Sequence, residues 1–275
     1  MNLNDQRLNE YKVAFIKQDD FEKHVEETIK SYNETLKSIN LDKFNSNVID
    51  PIKLTFDKFL FNKTWNEVIE QEIQRQRDKS NTNAIGYFHQ NMFRFIDNCI
   101  VPEKGFDVIL NKDGKSIYVE MKNKHNTMNS SSSQKTYINM QNHILNNPDD
   151  ECWLVEVIAP KSRNDVWGIS VDGSHYSDPR IRRVSIDEFY KAATGIEDAF
   201  YQICVQLPIT IEKLVSKKIV DVAEKDTVIS ELKNKNPDLL KSIYLLAFES
   251  YLGFKCGMND VLKVVKNYND FINEK

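Results

Sequence analysis

The segment from Gly105 to Lys124, GFDVILNKDGKSIYVEMKNK, constrains the fold more than any other part of the chain. It contains two apolar runs with strand-like alternation, and Asp113-Gly114 lies between them. Both central residues of a type I′ turn need a positive φ, which Asp and Gly tolerate. The dipeptide therefore predicts a tight hairpin whose register places Val108 opposite Val119.

This register separates the side chains of the hairpin into two different faces, because successive strand residues point to opposite sides. One face is wholly apolar and is predicted to lie in the core; it consists of Val108, Leu110, Ile117, Val119 and Met121. The other face contains Asp107, Ile109, Tyr118, Glu120 and Lys122. On that second face Asp107 lies directly opposite Glu120.

Two carboxylates opposite each other on paired strands are roughly 4.5 to 5.5 Å apart and repel. A Mg²⁺ ion fits between them, since it prefers a few carboxylates together with waters and phosphate oxygens. Lys122 reaches the same volume and can orient an attacking water. We therefore predict Asp107 and Glu120 as metal ligands, and both acids with Lys122 as catalytic residues. The alternative is an edge hairpin with a solvated, merely charged face.

The flanking patterns predict an α/β fold. A helix is predicted at residues 82–98 and leads into a short strand at Ile100-Val101. After the hairpin, a Ser/Asn-rich loop opens a helix at residues 134–146, and Cys152 to Ala159 form a strand apolar enough to be central in a sheet. The resulting order is α-β-β-β-α-β, a mixed sheet wrapped by N- and C-terminal helices.

Two further strands are predicted at residues 167–171 and 181–184, across a turn region at residues 172–179. Ser185 and Glu188 have the spacing of a capping box for the next helix. With 275 residues and one sheet, we predict a single domain. It comprises a helical part at 1–80, a catalytic core at 81–195 and a helical part at 196–275.

Composition narrows the class of protein. The chain has no apolar run of roughly 18 to 20 residues, and its start is too polar for a secretory signal, so we expect a cytoplasmic protein without membrane contact. The four cysteines are far apart and form no CxxC pair, which favours reduced packing residues over a zinc or disulfide site. The net charge of -4 means that any DNA-binding surface is local.

The stretch EMKNKHNTMNSSSSQKTY, Glu120 to Tyr137, resembles the type II restriction endonucleases that cut GGNCC or GGWCC sites. The upstream IGYFHQ, Ile85 to Gln90, is similar to the same group, and the element order resembles the PD-(D/E)xK nuclease superfamily. By this resemblance Asp107, Glu120 and Lys122 match the acid, acid and lysine of the motif. Phe106 replaces the proline that names it.

The resemblance implies Mg²⁺-dependent double-strand cleavage of DNA at a short palindromic GC-rich site, leaving 5′-phosphate ends, in a restriction-modification system. A palindromic target favours a homodimer. A cognate cytosine methyltransferase is expected in the host, although not as a physical partner. Many relatives have a Glu on the preceding helix, but residues 82–95 contain no acid. His89 or Gln90 is the candidate for that accessory role, unless the role is empty.

Two groups of residues are candidates for DNA contact. The first follows Lys122 and is rich in hydrogen-bond donors: Lys124, His125, Asn126, Asn129, Ser130, Ser131, Ser132 and Lys135. The alternative for this group is a polar loop that caps the next helix. The second group, Arg180, Arg182 and Arg183, suits guanine readout, because Arg binds guanine O6 and N7 in a bidentate manner. The alternative is that these arginines serve solubility.

Two other functions are compatible with the same sequence. A repair or recombination nuclease of this fold would cut by DNA structure and not by sequence. A DNA-binding module with a degenerate nuclease core would bind without cutting, although retention of all three charged groups on one face argues against it.

Overall fold

The computed structural model describes residues 11–217 and 223–250. Its helices are α1 (Gln18–Leu36), α2 (Leu41–Phe44), α3 (Pro51–Leu60), α4 (Trp65–Met92), α5 (Ser130–Asn146), α6 (Ile186–Thr194), α7 (Ala199–Ser216), α8 (Val228–Lys235) and α9 (Leu239–Phe248). Its strands are β1 (Cys99–Ile100), β2 (Val108–Lys112), β3 (Lys115–Lys124), β4 (Glu151–Ile158), β5 (Asn164–Val171) and β6 (Ser174–Ser185). Within these ranges no helix has the length and apolarity needed to cross a bilayer.

The six strands form one mixed sheet in the order β1-β2-β3-β4-β6-β5. The β3-β4 and β4-β6 pairs are parallel, whereas the other three pairs are antiparallel. The predicted order of helix, three strands, helix and strand is observed from α4 to β4. The predicted α/β fold class is therefore confirmed.

The hairpin between β2 and β3 has the predicted turn and register. Asp113 and Gly114 have φ values of 52° and 77°, as a type I′ turn requires. Val108 pairs with Val119, and Lys112 pairs with Lys115 beside the turn. Local turn chemistry thus determines which side chains of β2 and β3 share a face.

The sheet is covered by helices on both faces. On one face, Val108, Val119 and Val155 are fully buried in a core that also contains α6 residues such as Phe189 and Tyr190. On the other face, Tyr137, Met140 and Ile144 of α5 pack with Cys152, Leu154 and Ile181 of the sheet. The hairpin face predicted to be core lies in the first of these layers, and the face of Glu120 and Lys122 is on the α5 side.

The described chain divides into two compact units. The first contains residues 11–32 and 82–217, and it includes the whole sheet. The second contains residues 33–81 and 223–250, and its own core includes Phe44, Ile69, Ile73, Leu232 and Ile243. The prediction of a single domain in three sequential parts did not anticipate this grouping, and it stays a prediction.

Three predicted boundaries were wrong. The helix expected at 82–98 is the end of α4, which is continuous from Trp65 to Met92 because its polar middle contains no proline. Helix α5 begins at Ser130 and not at residue 134, since the Asn129 side chain caps it by accepting the Ser132 N–H. The turn expected at 172–179 is only Asp172-Gly173, both with positive φ, and β6 starts at residue 174.

The capping box predicted at the start of α6 is correct in position only. Ser185 is the N-cap residue of this helix, but its side chain makes no capping hydrogen bond. Its Oγ instead accepts the backbone N–H of Arg163 at 2.9 Å. A contact with a distant part of the chain has replaced the local one, which a sequence pattern does not reveal.

Candidate active site

Asp107 lies one residue before β2, and two backbone hydrogen bonds hold it against β3. Its N–H donates to the Val119 carbonyl at 2.9 Å, which extends the hairpin register beyond the strand. Its carboxylate Oδ2 accepts the Met121 N–H at 2.7 Å. The second oxygen, Oδ1, accepts no hydrogen bond from the described residues. The Asp107 side chain is therefore fixed at one oxygen and available at the other.

Glu120 and Lys122 are two residues apart on β3, so both project to the same side of the sheet. The Lys122 ammonium donates to Glu120 Oε1 at 2.6 Å, and both side chains are about 30% exposed. Glu120 also interacts electrostatically with Asp107. The structure thus brings together the three residues that the sequence proposed as a site.

The pKa of Asp107 is raised above its ordinary value of 3.8, chiefly by burial. The Met121 N–H lowers this pKa, the charge of Glu120 raises it and the charge of Lys122 lowers it. The pKa is raised overall, so the surroundings disfavour the ionised carboxylate of Asp107 although the Met121 N–H and the Lys122 ammonium stabilise it. Bringing a cation to this place would reverse that penalty.

The three residues line a cleft of about 470 Å³ between the C-terminal half of α4 and the end of β3. Its lining residues are Thr82, Asn83, Gly86, Tyr87, His89, Gln90, Asp107, Glu120, Met121, Lys122, Asn123, Thr127 and Val157. Helix α4 and strand β3 supply most of this lining, and Asp107, Thr127 and Val157 complete it.

The donor set suits a hard divalent cation with open positions. In residues 11–217 and 223–250, no cluster of three or more His, Cys, Asp or Glu side chains has metal-site geometry. The candidate site therefore offers two carboxylates, Asp107 and Glu120. Mg²⁺ commonly binds through one or two carboxylates and fills its octahedron with waters and substrate phosphate oxygens. The residues present fit that ion and leave room for a phosphate.

Gln90 on α4 is attached directly to the site. Its Nε2 donates to the backbone carbonyl of Asp107 at 3.1 Å. Because a carbonyl only accepts, this bond determines which end of the amide is the NH₂ group and leaves Oε1 as an acceptor. Gln90 thereby links the helix wall of the cleft to the acid that precedes β2.

His89, the other accessory candidate, is neutral near pH 7. Burial, together with a smaller contribution from the neighbouring His24, lowers its pKa to about 4. A neutral imidazole can accept or donate a hydrogen bond in the cleft, but it does not add positive charge at physiological pH. It is therefore unsuited to the role of a cationic phosphate ligand.

The first group of candidate DNA contacts is exposed and follows β3 directly. Lys124 ends β3, and the His125 N–H donates to the Ile158 carbonyl at 3.1 Å. The group also includes Asn126, Asn129, Ser130, Ser131, Ser132 and Lys135, all of which are exposed. Asn129 already uses its side-chain oxygen to cap α5. The segment thus caps α5, as the alternative interpretation expects, and its exposed side chains are also accessible to DNA, as the DNA-binding interpretation requires.

The three candidate base-reading arginines are engaged within the chain. Arg180 pairs with Asp178 at 2.9 Å and donates to the Pro148 carbonyl. Arg182 donates to the Asn164 side chain and carbonyl. Arg183 binds Glu156 and the His125 carbonyl. None of the three lines the cleft, and base contact by any of them would require exchange of these partners.

Sequence reasoning missed Glu156, which is fully buried in β4. Its carboxylate receives Arg163 on one oxygen and Arg183 on the other. Glu156 is also the register partner of Lys122, so it lies on the same side of the sheet as the proposed catalytic lysine. The only sequence signal was a single acid inside the apolar run CWLVEVIA.

Comparisons with known proteins find similarity to restriction endonucleases. The model of the family described as Eco47II restriction endonuclease matches residues 13–216. A type II restriction enzyme of Staphylococcus aureus, Sau96I, is 34% identical over 218 residues, covering 76% of this chain and 83% of the relative. A type II restriction enzyme of Escherichia coli, Eco47II, is 28% identical over 201 residues, covering 68% and 83%.

The matched range includes the hairpin, the cleft and all the candidate site residues named above. It also includes α5 and α6, which lie on opposite faces of the sheet, and the segment that follows β3. The chain is thus a type II restriction endonuclease and belongs to the Eco47II restriction endonuclease family.

Proposed function

We propose that this enzyme is a Mg²⁺-dependent member of the PD-(D/E)xK nucleases that cleaves both DNA strands at a short palindromic GGNCC-like site. The observation that supports the proposal most is the position of Asp107 and Glu120 beside Lys122 in one cleft. Two acids and a lysine in one cleft suit phosphodiester hydrolysis, because they provide cation ligands and a group that positions water.

Asp107 and Glu120 would hold the ion, which when bound stabilises negative charge developing on the scissile phosphate. In the structure Lys122 neutralises Glu120. With Glu120 serving as an ion ligand, the Lys122 ammonium would be able to donate to the attacking water. Lys122 would orient this water for in-line attack, and the products would be a 5′-phosphate and a 3′-hydroxyl.

Cation binding should compete with a proton on Asp107. Its raised pKa means that the folded protein holds this proton to a higher pH than an ordinary Asp does. Ion affinity should therefore fall as the pH is lowered toward and through that raised pKa. In the absence of a cation, the same shift stabilises the fold at low pH, and this stabilisation is lost as the pH rises through the folded pKa.

The Asp107→Asn protein should consequently be more heat-stable than the parent at pH 7 without metal. Asn removes the buried charge and its repulsion with Glu120, while its amide oxygen still accepts the Met121 N–H. The parent should gain melting temperature when Mg²⁺ is added, whereas the variant should gain much less. Differential scanning fluorimetry over a Mg²⁺ series measures both effects. Equal Mg²⁺ responses of the two proteins would contradict the assigned ligand.

We assign accessory roles to Gln90 and His89. Gln90 Oε1 would accept from a water in the ion's shell, since its amide is oriented by the Asp107 carbonyl. His89 would act as a neutral hydrogen-bonding group in the cleft wall. In the same fluorimetry, Gln90→Leu should require more Mg²⁺ for a half-maximal shift. An unchanged Mg²⁺ midpoint would assign Gln90 to packing alone.

DNA contact would come chiefly from the exposed segment after β3. Lys124 and Lys135 would bind backbone phosphates, and the amides and hydroxyls between them would contact backbone or groove edges. The serines begin a helix, where N–H groups favour phosphate. Arg180, Arg182 and Arg183 are retained as candidate base contacts that would have to release their present partners.

The palindromic target implies a homodimer with one active site for each strand, acting in the cytoplasm on incoming DNA. A cognate cytosine methyltransferase would protect host sites without binding the enzyme. The resemblance of residues 120–137 to enzymes that cut GGNCC or GGWCC supports the proposed site class.

Plasmid digestion tests the proposed function directly. Purified protein with Mg²⁺ should give discrete fragments whose ends map to GGNCC-like sites and carry 5′-phosphates, and EDTA should abolish cutting. Plasmid methylated at cytosine in that site should be spared. A smear, or cutting that follows DNA structure, would favour a repair-type nuclease. Intact plasmid that is nevertheless bound would favour a non-catalytic module.

A further inference from the structure

A group of large apolar side chains is exposed around α3, in the second compact unit. It consists of Val48, Ile52, Phe56, Phe59, Leu60 and Phe61, with exposed fractions from 42% to 74%. We call this group the α3 face. Single exposed apolar residues are ordinary, but six within fourteen consecutive positions are not.

Helical spacing places four of these side chains together. Ile52, Phe56, Phe59 and Leu60 are separated by four, three and one residues, so they form one stripe along α3. The opposite side of the helix is occupied, since Leu54 is 2% exposed in the core of this unit. The helix therefore has two apolar sides, and only one has a partner among the described residues.

Helix α3 has hydrogen-bonded caps at both ends, and at its C-terminus the Phe61 N–H donates to the Asp57 carbonyl at 3.3 Å. Asp50 caps it by accepting the N–H groups of Ile52 and Lys53, and Pro51 occupies its first turn. The Thr55 hydroxyl is also within 3.1 Å of the Tyr244 hydroxyl of α9. The exposed stripe thus belongs to a helix that is capped at both ends and bonded to α9.

The size of the α3 face is that of a stable protein interface. At roughly 200 Å² for each large side chain, six residues about 60% exposed present on the order of 700 Å². Standard interfaces bury about 800 Å² on each partner, and monomers rarely expose apolar patches larger than a few hundred Å². The face is therefore large enough to be the centre of a dimer interface without further apolar surface.

The charges around the face suit a second copy of the same surface. Lys53 pairs with Asp57 one turn away, with 52% and 25% side-chain exposure. Lys58 lies over the rings of Phe59 and Trp65. A two-fold contact brings each surface against itself, so a helix that carries both signs can pair lysine with aspartate across the axis. A surface of one sign would repel its own copy.

We propose that the α3 face is the homodimer interface of this enzyme, with α3 packing against α3 of a second copy across a two-fold axis. The proposal rests on the proposed double-strand cleavage, which calls for two active sites. It adds the surface through which the copies associate. Phe56, in the middle of the stripe, and Leu60, its most exposed member, are the expected anchors.

Light scattering coupled to size-exclusion chromatography tests this interface with the full chain. At about 10 µM the parent should have twice the chain mass of 32.1 kDa, and Phe56→Asp should have the mass of one chain. We expect Phe56→Asp to weaken association at least a hundredfold, because the symmetric contact loses the anchor twice and gains two apposed charges. Leu60→Lys, which introduces the opposite charge, should have the same effect.

The control is Tyr201→Asp, because Tyr201 is similarly exposed at 68% but lies on α7 in the other unit. This variant should remain dimeric, and circular dichroism should show that all variants are folded. Asp107→Asn should also remain dimeric, so the interface and the proposed chemistry can fail separately.

A monomeric parent, or dimeric Phe56→Asp and Leu60→Lys proteins, would overturn the proposal. A monomeric parent that self-associates after removal of residues 251–275 would assign the α3 face to that segment of the same chain. If the parent is monomeric and stays monomeric after this removal, the α3 face would be assigned to a partner protein of different sequence. Both of these outcomes exclude the dimer.

Discussion

The Lys122→Ala protein is expected to cleave DNA at least a thousandfold more slowly than the parent while binding its site with similar affinity. Loss of a group that stabilises developing charge or transfers a proton in the transition state typically slows the reaction by about 10² to 10⁴. Single-turnover cleavage with excess enzyme measures the chemical step, and fluorescence anisotropy without Mg²⁺ measures binding. Cleavage within tenfold of the parent would remove Lys122 from the catalytic residues.

Mg²⁺ binding distinguishes a loss of catalysis from a loss of the whole site, because Lys122 forms an ion pair with Glu120. Without the ammonium, Glu120 and Asp107 face each other with less compensation, so the site becomes more attractive to a cation. The Lys122→Ala protein should therefore bind Mg²⁺ at least as tightly as the parent, despite its slow cleavage. Lys112→Ala, an exposed lysine at the turn end of the same hairpin, should change neither quantity.

The second large effect is expected from Glu156→Ala, which should lower the free energy of unfolding by about 3 kcal/mol. Removing one member of a buried ion cluster typically costs about 3 to 5 kcal/mol. We place the effect at the lower end, because Arg163 and Arg183 retain 17% and 28% side-chain exposure and can partly reach water. Urea unfolding followed by circular dichroism measures the difference.

A matched control and a compensating variant identify the cause of that loss. Glu197→Ala removes a glutamate that is paired with Lys191 but 86% exposed, and it should change stability by less than about 0.5 kcal/mol. Replacing Glu156, Arg163 and Arg183 together by apolar residues of similar size should recover most of the stability, because no buried charge is left unpaired. If Glu156→Ala unfolds at the parent urea midpoint, the cluster does not contribute to the fold.

Loss of Glu156 should also affect the site, because β4 lies beside β3 there. Arg183 links Glu156 to the His125 carbonyl, which follows the strand that contains Glu120 and Lys122. Arg183, which the sequence suggests as a base contact, thus connects β4 to the segment that follows β3. The sequence alone does not show whether the guanidinium of Arg183 contacts DNA or binds within the chain, as it does in the structure.

The features of this fold that its sequence predicts correctly and those that it does not differ in the range of the interactions involved. Asp113-Gly114 determines the hairpin because turn geometry and strand alternation act over a few residues, and the register of Val108 with Val119 follows from it. The same short-range logic fails in the polar middle of α4. No proline or other strong breaker occurs there, so the helix continues where the loss of apolar periodicity indicated an end.

The sequence by itself determined the α/β class, the hairpin register and the placement of Asp107, Glu120 and Lys122 around one turn. Only the tertiary structure decided that α4 would supply Gln90 to the cleft, that Glu156 would collect two arginines and that α3 would expose an apolar side. These contacts join residues that are distant in sequence. They depend on the order of strands in the sheet and on which helix covers which face, and no local pattern encodes either.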